Sequence, residues 1–165
     1  MPPSNPTLRL AQFPIDLPAV REIFREYVRS PTADLGFQDY EREFADLPGK
    51  YAAPHGCVLL AWAGDQLLGC GALRPVDEAS CEMKRVYLRP AARGRQLGRQ
   101  LVERLLAEAR EAGYRRICLD VLPEFVAARR LYASLGFVPA PPVSFNPVPG
   151  TLFLALELTE RSAAG

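Results

Sequence analysis

The chain has 165 residues, 48% of them hydrophobic and 24% charged, with a formal net charge of +1. That length suits one domain burying about two-thirds of its unfolded surface, and the near-neutral balance excludes bulk attraction to nucleic acid. No stretch approaches the roughly twenty apolar residues of a membrane span, and Met1 to Pro6 lacks the charged and apolar regions of a secretion signal.

Thr7 to Phe13 reads as a first strand. Asp16 is placed to cap a helix that has Pro18 in its first turn. Val20, Ile23, Phe24, Tyr27 and Val28 mark one face of that helix, and Pro31 ends it. A second, shorter helix is expected from Phe37 to Leu47, with Phe37, Tyr40 and Phe44 on one side and Pro48-Gly49 as its stop. Aromatics at this spacing usually pack in a core. Cys57 to Ala63 and Gln66 to Arg74 are apolar strands joined at Gly64-Asp65, a hairpin signal. Pro75 to Ser80 is a polar turn, and the next strand, through Val86 to Leu88, stops before Pro90.

Arg93-Gly94-Arg95-Gln96-Leu97-Gly98 then opens a helix whose Leu97, Leu101, Val102, Leu105, Leu106 and Ala109 recur at three and four residues, with Gly113 at the C-terminal cap. A helix start carries backbone N–H groups without intrahelical partners and the positive end of the helix dipole. Glycines admit a ligand close to the backbone, and Arg93, Arg95 and Arg99 add charge. Such a turn suits a phosphate or pyrophosphate. It matches neither the Walker spacing nor Gly-x-Gly-x-x-Gly. An ordinary strand–turn–helix crossover with solvated arginines explains the spacing equally well.

Arg115 to Leu122 reads as a buried strand, and Glu124 to Leu135 as a helix with Ala128, Leu131 and Leu135 inward and Gly136 as its stop. Five prolines between Pro139 and Pro149 predict a rigid loop, with a short strand at Val143 to Phe145. Thr151 to Leu158 is a last strand and Arg161 to Gly165 a loose tail. Hairpins early and a strand–helix–strand unit late give a mixed sheet with helices on both faces. Cysteines 57, 70, 81 and 118 have no Cys-x-x-Cys spacing and read as buried free thiols of a cytoplasmic protein. The single histidine, His55, lies between Pro54 and Gly56 as a turn residue, so no metal site is expected.

Two motifs together resemble the GNAT superfamily of acyl-CoA-dependent N-acetyltransferases. One is Arg93-Gly94-Arg95-Gln96-Leu97-Gly98 after a central strand. The other is Leu131-Tyr132-Ala133-Ser134-Leu135-Gly136-Phe137 further on. The resemblance spans about residues 7 to 159 of a single domain, 1–165, and Glu-Met-Lys-Arg with Asn-Pro-Val-Pro-Gly points to an uncharacterised bacterial-type branch. Two positions depart from the family pattern. Gln96 replaces a glycine, and an asparagine before the tyrosine helix is missing near Phe125.

The resemblance implies an α/β fold: a central mixed, mostly antiparallel sheet of six to seven strands with helices on both faces. It implies transfer of an acetyl group from acetyl-CoA, as cosubstrate, to a primary amine of a small molecule or peptide by direct attack. Backbone amides over Arg93, Gly94, Arg95, Gln96, Leu97, Gly98 and Arg99 would hold the pyrophosphate. Val86, Tyr87 and Leu88 would pair with the pantetheine arm as a strand does, and one of their N–H groups would polarise the thioester carbonyl.

A lysine-like amine of pKa ~10.4 needs a base. Glu82 is the candidate, on an alternation that sets 82, 84, 86 and 88 on one face, with a structural ion pair as the other reading. Tyr132 matches the family's proton donor to the leaving thiolate, the alternative being a packing tyrosine. Tyr27, Phe37 and Tyr40 are acceptor-pocket candidates, and Asn146 to Gly150 would border the pocket. Arg74, Lys84, Arg85 and Arg89 are either a solvated basic patch or a carboxylate-recognition cluster. Neither a membrane nor nucleic acid is an expected partner, and both monomer and homodimer fit. A noncatalytic acyl-CoA sensor and a protein-interaction module on the same fold remain alternatives.

Overall fold

The computed structural model describes residues 5–158. The expected tail at Arg161 to Gly165 lies outside them. Seven strands form one sheet: β1 (Thr7–Leu10), β2 (Cys57–Ala63), β3 (Gln66–Pro75), β4 (Ser80–Leu88), β5 (Arg116–Val121), β6 (Val138–Pro139) and β7 (Leu152–Glu157). Their spatial order is β1-β2-β3-β4-β5-β7-β6. Only β4 and β5 pair in parallel. The four helices are α1 (Leu17–Arg29), α2 (Tyr40–Ala45), α3 (Leu97–Glu111) and α4 (Val126–Ser134). This is the mixed, mostly antiparallel sheet that the sequence implies.

Strand alternation divides the apolar residues between two clusters. Leu59, Leu73, Cys81, Met83 and Ile117 pack with Leu101, Leu105 and Ala109 of α3 and with Tyr132 of α4. Val58, Leu60, Cys70 and Ala72 pack with Val20, Ile23 and Phe24 of α1 and with Phe44 of α2. Gly71 lets α3 sit close to β3, and Gly69 makes room for the Leu88 side chain of β4. A Cβ at Gly71 would lie 2.6 Å from Leu105 Cδ1, and one at Gly69 would lie 2.6 Å from Leu88 Cδ2.

Several expectations need correction. Asp16 is the N-cap residue of α1, as expected, but its side chain makes no capping bond. Its carboxylate instead accepts two bonds from Arg9, at 2.7 and 3.0 Å, and one from the Gln12 N–H at 2.7 Å. The expected helix over 37–47 is broken in two: a 3-10 turn at Gly36–Gln38 and then α2, separated by Asp39 in the left-handed region at φ 52°. The proline-rich loop forms no strand at 143–145; the short strand is Val138–Pro139, paired with β7. On α4 it is Tyr132 that is buried, while Ala128, Leu131 and Leu135 are only partly so. The expected first strand stops at Leu10.

The most consequential correction concerns β4. Lys84 stands opposite Ala72 and Tyr87 opposite Cys70, so β4 carries an extra residue there. Arg85 takes φ 60°, marking a bulge. Strict alternation therefore fails. Val86 and Leu88 join the α3 side, whereas Tyr87 packs with the α1/α2 cluster. Glu82 and Lys84 stand opposite Arg74 and Ala72, on that same α1/α2 side. Residues 82, 84, 86 and 88 do not share a face.

Candidate active site

The parallel pairing of β4 with β5 covers only Ser80 to Glu82 against Arg116 to Cys118. Beyond Glu82 the strands part, because the bulge at Arg85 twists β4 away. β5 continues paired to β7, and β4 continues paired to β3. Val86, Tyr87 and Leu88 thus lie along a strand edge open on the β5 side. An open edge offers N–H and C=O groups to any extended amide chain.

At the end of that edge is the turn before α3. Gly94 has φ 85° and Gln96 φ 59°. Among the described residues, no backbone N–H from Gly94 to Arg99 donates within the chain; the first bond of the helix is Gln100 N–H to the Gln96 carbonyl at 3.1 Å. Six consecutive amides therefore have no hydrogen-bond partner among the described residues. A Cβ at Gly94 would meet nothing within 4 Å, so the ground above it is open. The turn fits an anion: unclaimed donors and a helix N-terminus coincide. Gln96, which departs from the family glycine, adopts the left-handed conformation that glycine favours. Arg93 and Arg99 are partly engaged, Arg93 with the Leu88 carbonyl at 3.2 Å and Arg99 with Ser134 Oγ at 2.8 Å.

Tyr132 rises from α4 and is 6% exposed. Its ring lies 5.5 Å from Phe137, centroid to centroid. Burial raises the pKa of its phenol above the ordinary value, with Tyr27 and Asp120 adding to the effect. The group therefore stays protonated at neutral pH. Tyr27, on α1, is pushed up to about 12 by burial, with Arg85 opposing.

The face of β4 toward α1 and α2 is charged, and all but Lys84 of its basic groups are hydrogen-bonded to partners. Glu82, 2% exposed, takes Arg74 Nη2 at 2.8 Å and Nε at 2.9 Å on Oε1, and Ser144 Oγ at 2.8 Å on Oε2. Arg85 is also 2% exposed, not solvated. Its Nε and Nη2 reach Glu43 Oε2 at 3.1 and 3.0 Å, its Nη1 donates to Gln38, and its guanidinium lies 5.5 Å from the Tyr27 ring. Arg89 pairs with Glu26 and donates to the Leu67 carbonyl at 3.0 Å. Lys84 faces Asp120 of β5, Nζ to Oδ1 3.7 Å. The proline-rich loop closes this side: Ser144 holds Glu82, Asn146 Nδ2 donates to Asp120 Oδ2 at 2.8 Å, and Phe145 meets Phe37 at 6.0 Å.

The structure thus brings Tyr27, Tyr132, Glu82 and the open edge of β4 around one fork. Phe37 joins it through the loop, whereas Tyr40 packs on Phe44 in the core at 5.7 Å. Sequence reasoning missed Asp120, Glu43 and Gln38. Asp120 was visible only as a lone acid within an apolar strand. A recess of about 570 Å³ lies on the outer side of α1 among Pro18, Arg21, Glu22, Arg25, Glu26 and Arg29, and does not include the fork. Solvated side chains of one helix make that recess.

A parted parallel strand pair, a turn of unpartnered amides at a helix start and a buried tyrosine on α4 are the features of this candidate site. The acetyltransferase (GNAT) family matches residues 17–137. An uncharacterized N-acetyltransferase of Schizosaccharomyces pombe is 36% identical over 162 residues, covering 97% of this chain and 99% of that protein. An IAA acetyltransferase of Azospirillum brasilense is 35% identical over 105 residues, 62% of this chain and 69% of its own. The structure of yncA, a putative acetyltransferase from Salmonella typhimurium with its cofactor acetyl-CoA, superposes with a TM-score of 0.66 at 27% identity, covering 96% of each chain. The chain belongs to the GNAT acetyltransferase family. It is an acetyl-CoA-dependent N-acetyltransferase. Among the described residues no helix is long and apolar enough to cross a membrane, and no group of three metal-ligating side chains assembles.

Proposed function

We propose that the chain moves an acetyl group from acetyl-CoA to a primary amine of a small molecule or peptide by direct attack of the amine. The observation that carries this reading is the coincidence of six unclaimed amides, an open β4 edge and a buried phenol around one fork. Amides from Gly94 to Arg99 hold the pyrophosphate. The edge at Val86, Tyr87 and Leu88 holds the pantetheine arm, and one of its N–H groups steadies the oxyanion. The neutral amine bonds through its nitrogen to the thioester carbon as the carbon–sulfur bond breaks, and the nitrogen gives up one proton to solvent. Tyr132 gives its proton to the departing thiolate and regains one from solvent.

Glu82 had two readings, base and ion pair. Its bonds to Arg74 and Ser144 support the ion pair, with the carboxylate fixing the loop that closes the acceptor side. The test is thiol release across a panel of amines, with acetyl-CoA binding measured by calorimetry. Release with at least one amine is expected. Binding without release from any amine would identify a sensor, and no binding at all would point to an interaction module.

A further inference from the structure

Four basic residues group on the acceptor side of β4, and three of them have partners that satisfy them. Arg74 is taken by Glu82, Arg85 by Glu43 and Gln38, and Arg89 by Glu26. Lys84 differs. Its side chain is 6% exposed, yet its ammonium makes no hydrogen bond among the described residues. The Asp120 oxygen at 3.7 Å is beyond hydrogen-bond reach. Nor is the ammonium sealed in: the only fully enclosed side-chain polar atom without a partner, among the described residues, is Trp62 Nε1. Its three donors thus have no hydrogen-bond acceptor among the described residues, and the nitrogen keeps a small exposed area. Burial lowers the lysine's pKa below its ordinary value despite the opposing charges of Asp120 and Glu82, so a further anion at the ammonium would stabilise its charged form.

Asp120 completes the arrangement. Asn146 Nδ2 holds its Oδ2 at 2.8 Å, which leaves Oδ1 turned toward Lys84. Asp120 acts on the Tyr132 phenol, so the pair lies within electrostatic reach of the proposed proton donor. A cation and an anion side by side complement a molecule that carries a carboxylate and an amine side by side.

We propose that the acetyl acceptor bears a carboxylate next to its amine, as a free amino acid does, with Lys84 binding the carboxylate and Asp120 Oδ1 receiving the amine. This rests on the transferase reading above. The bound ammonium first loses one proton to solvent; Asp120 then takes the next from the nitrogen as it bonds to the thioester carbon and later releases it to solvent. The carbon–sulfur bond breaks, and the thiolate leaves with the Tyr132 proton, giving an N-acetyl amino acid and free CoA.

The experiment pairs each common amino acid with its own carboxamide and measures kcat/KM by thiol release. For at least one pair the free acid should exceed the amide by tenfold or more. Lys84→Met should bring the acid-to-amide ratio near one, and Lys84→Arg should restore part of it. Acetyl-CoA affinity, within twofold of wild type, certifies that each variant is folded. Equal rates for acid and amide in every pair, or a Lys84→Met variant that keeps the full ratio, would overturn the assignment while leaving the transferase reading intact. No release from any amine, with acetyl-CoA bound, would overturn both.

Discussion

The two sides of the β4/β5 fork are made of different materials. On the turn side the available groups are backbone amides, and the side chains of Arg93 and Arg99 turn partly to other partners. On the acceptor side the groups are charged side chains, and most are already locked to partners far along the chain: Arg85 to Glu43, Glu82 to Ser144, Asn146 to Asp120. A backbone site depends on local conformation and tolerates many side-chain changes. A site of buried, paired charges depends on every partner, because a charge left alone in the interior is costly. The acceptor side should therefore be fragile in stability, and the turn side should be sensitive mainly in cosubstrate affinity.

The largest effect expected is on the acceptor side. Arg85→Met takes the closest cation from Glu43, leaving it the Tyr51 hydroxyl at 2.8 Å and Arg74 at 3.9 Å, and removes the buried guanidinium from beside Tyr27 and Phe44. Breaking one partner of a buried ion pair costs about 3–5 kcal/mol. Chemical denaturation should show a loss of that order. A loss below about 1 kcal/mol would mean that Arg85 is solvated after all.

Next comes the phenol at the fork itself. Tyr132→Phe removes a proton donor while keeping the ring against Phe137. Turnover should fall about 10²-fold, with acetyl-CoA affinity within twofold. Because burial raises the phenol's pKa above its ordinary ~10, its deprotonation should not lower wild-type kcat anywhere below pH ~10. An alkaline fall centred near pH 8 that vanishes in Tyr132→Phe would contradict this.

On the turn side, Gly94→Val places a branched side chain at φ 85° in the open ground above the amides. The backbone must shift or the ligand must, since left-handed conformation costs a residue with a Cβ about 1–2 kcal/mol. KM for acetyl-CoA should rise about tenfold, with kcat at saturation largely kept. A fall in kcat without a change in KM would mean that the turn serves the chemistry and not the binding.

The same contrast explains what could be read from the sequence. The turn was legible because its signals are local: glycine, the Leu97 to Ala109 periodicity and the strand before it. The sheet was legible because apolar runs and the Gly64 turn fix four of its strands. The bulge at Arg85 was not legible. It follows from Gly71 admitting Leu105 and from Glu43 and Gln38 drawing the guanidinium inward, which are contacts across the fold. Without the bulge, simple alternation puts Glu82 beside Val86 and Leu88. Asp120 escaped notice for a related reason, since its meaning depends on Lys84 across the fork and on Asn146 in a loop.

The smallest effect tests whether Gln96 weakens the turn. It holds φ 59°, where a residue with a Cβ pays roughly 1–2 kcal/mol that glycine does not. Glycine also loosens the unfolded chain, which offsets about 0.4–1 kcal/mol of that gain. Gln96→Gly should then stabilise the protein by about 0.5–1 kcal/mol, a rise of roughly 1–4 °C in Tm for a chain of this size. The amides are free in both cases, so acetyl-CoA affinity should stay within about twofold, or about 0.4 kcal/mol. A lower Tm would show that the glutamine side chain supports the helix start. A tenfold gain in affinity would show that its side chain, and not its backbone, stands in the way of the diphosphate.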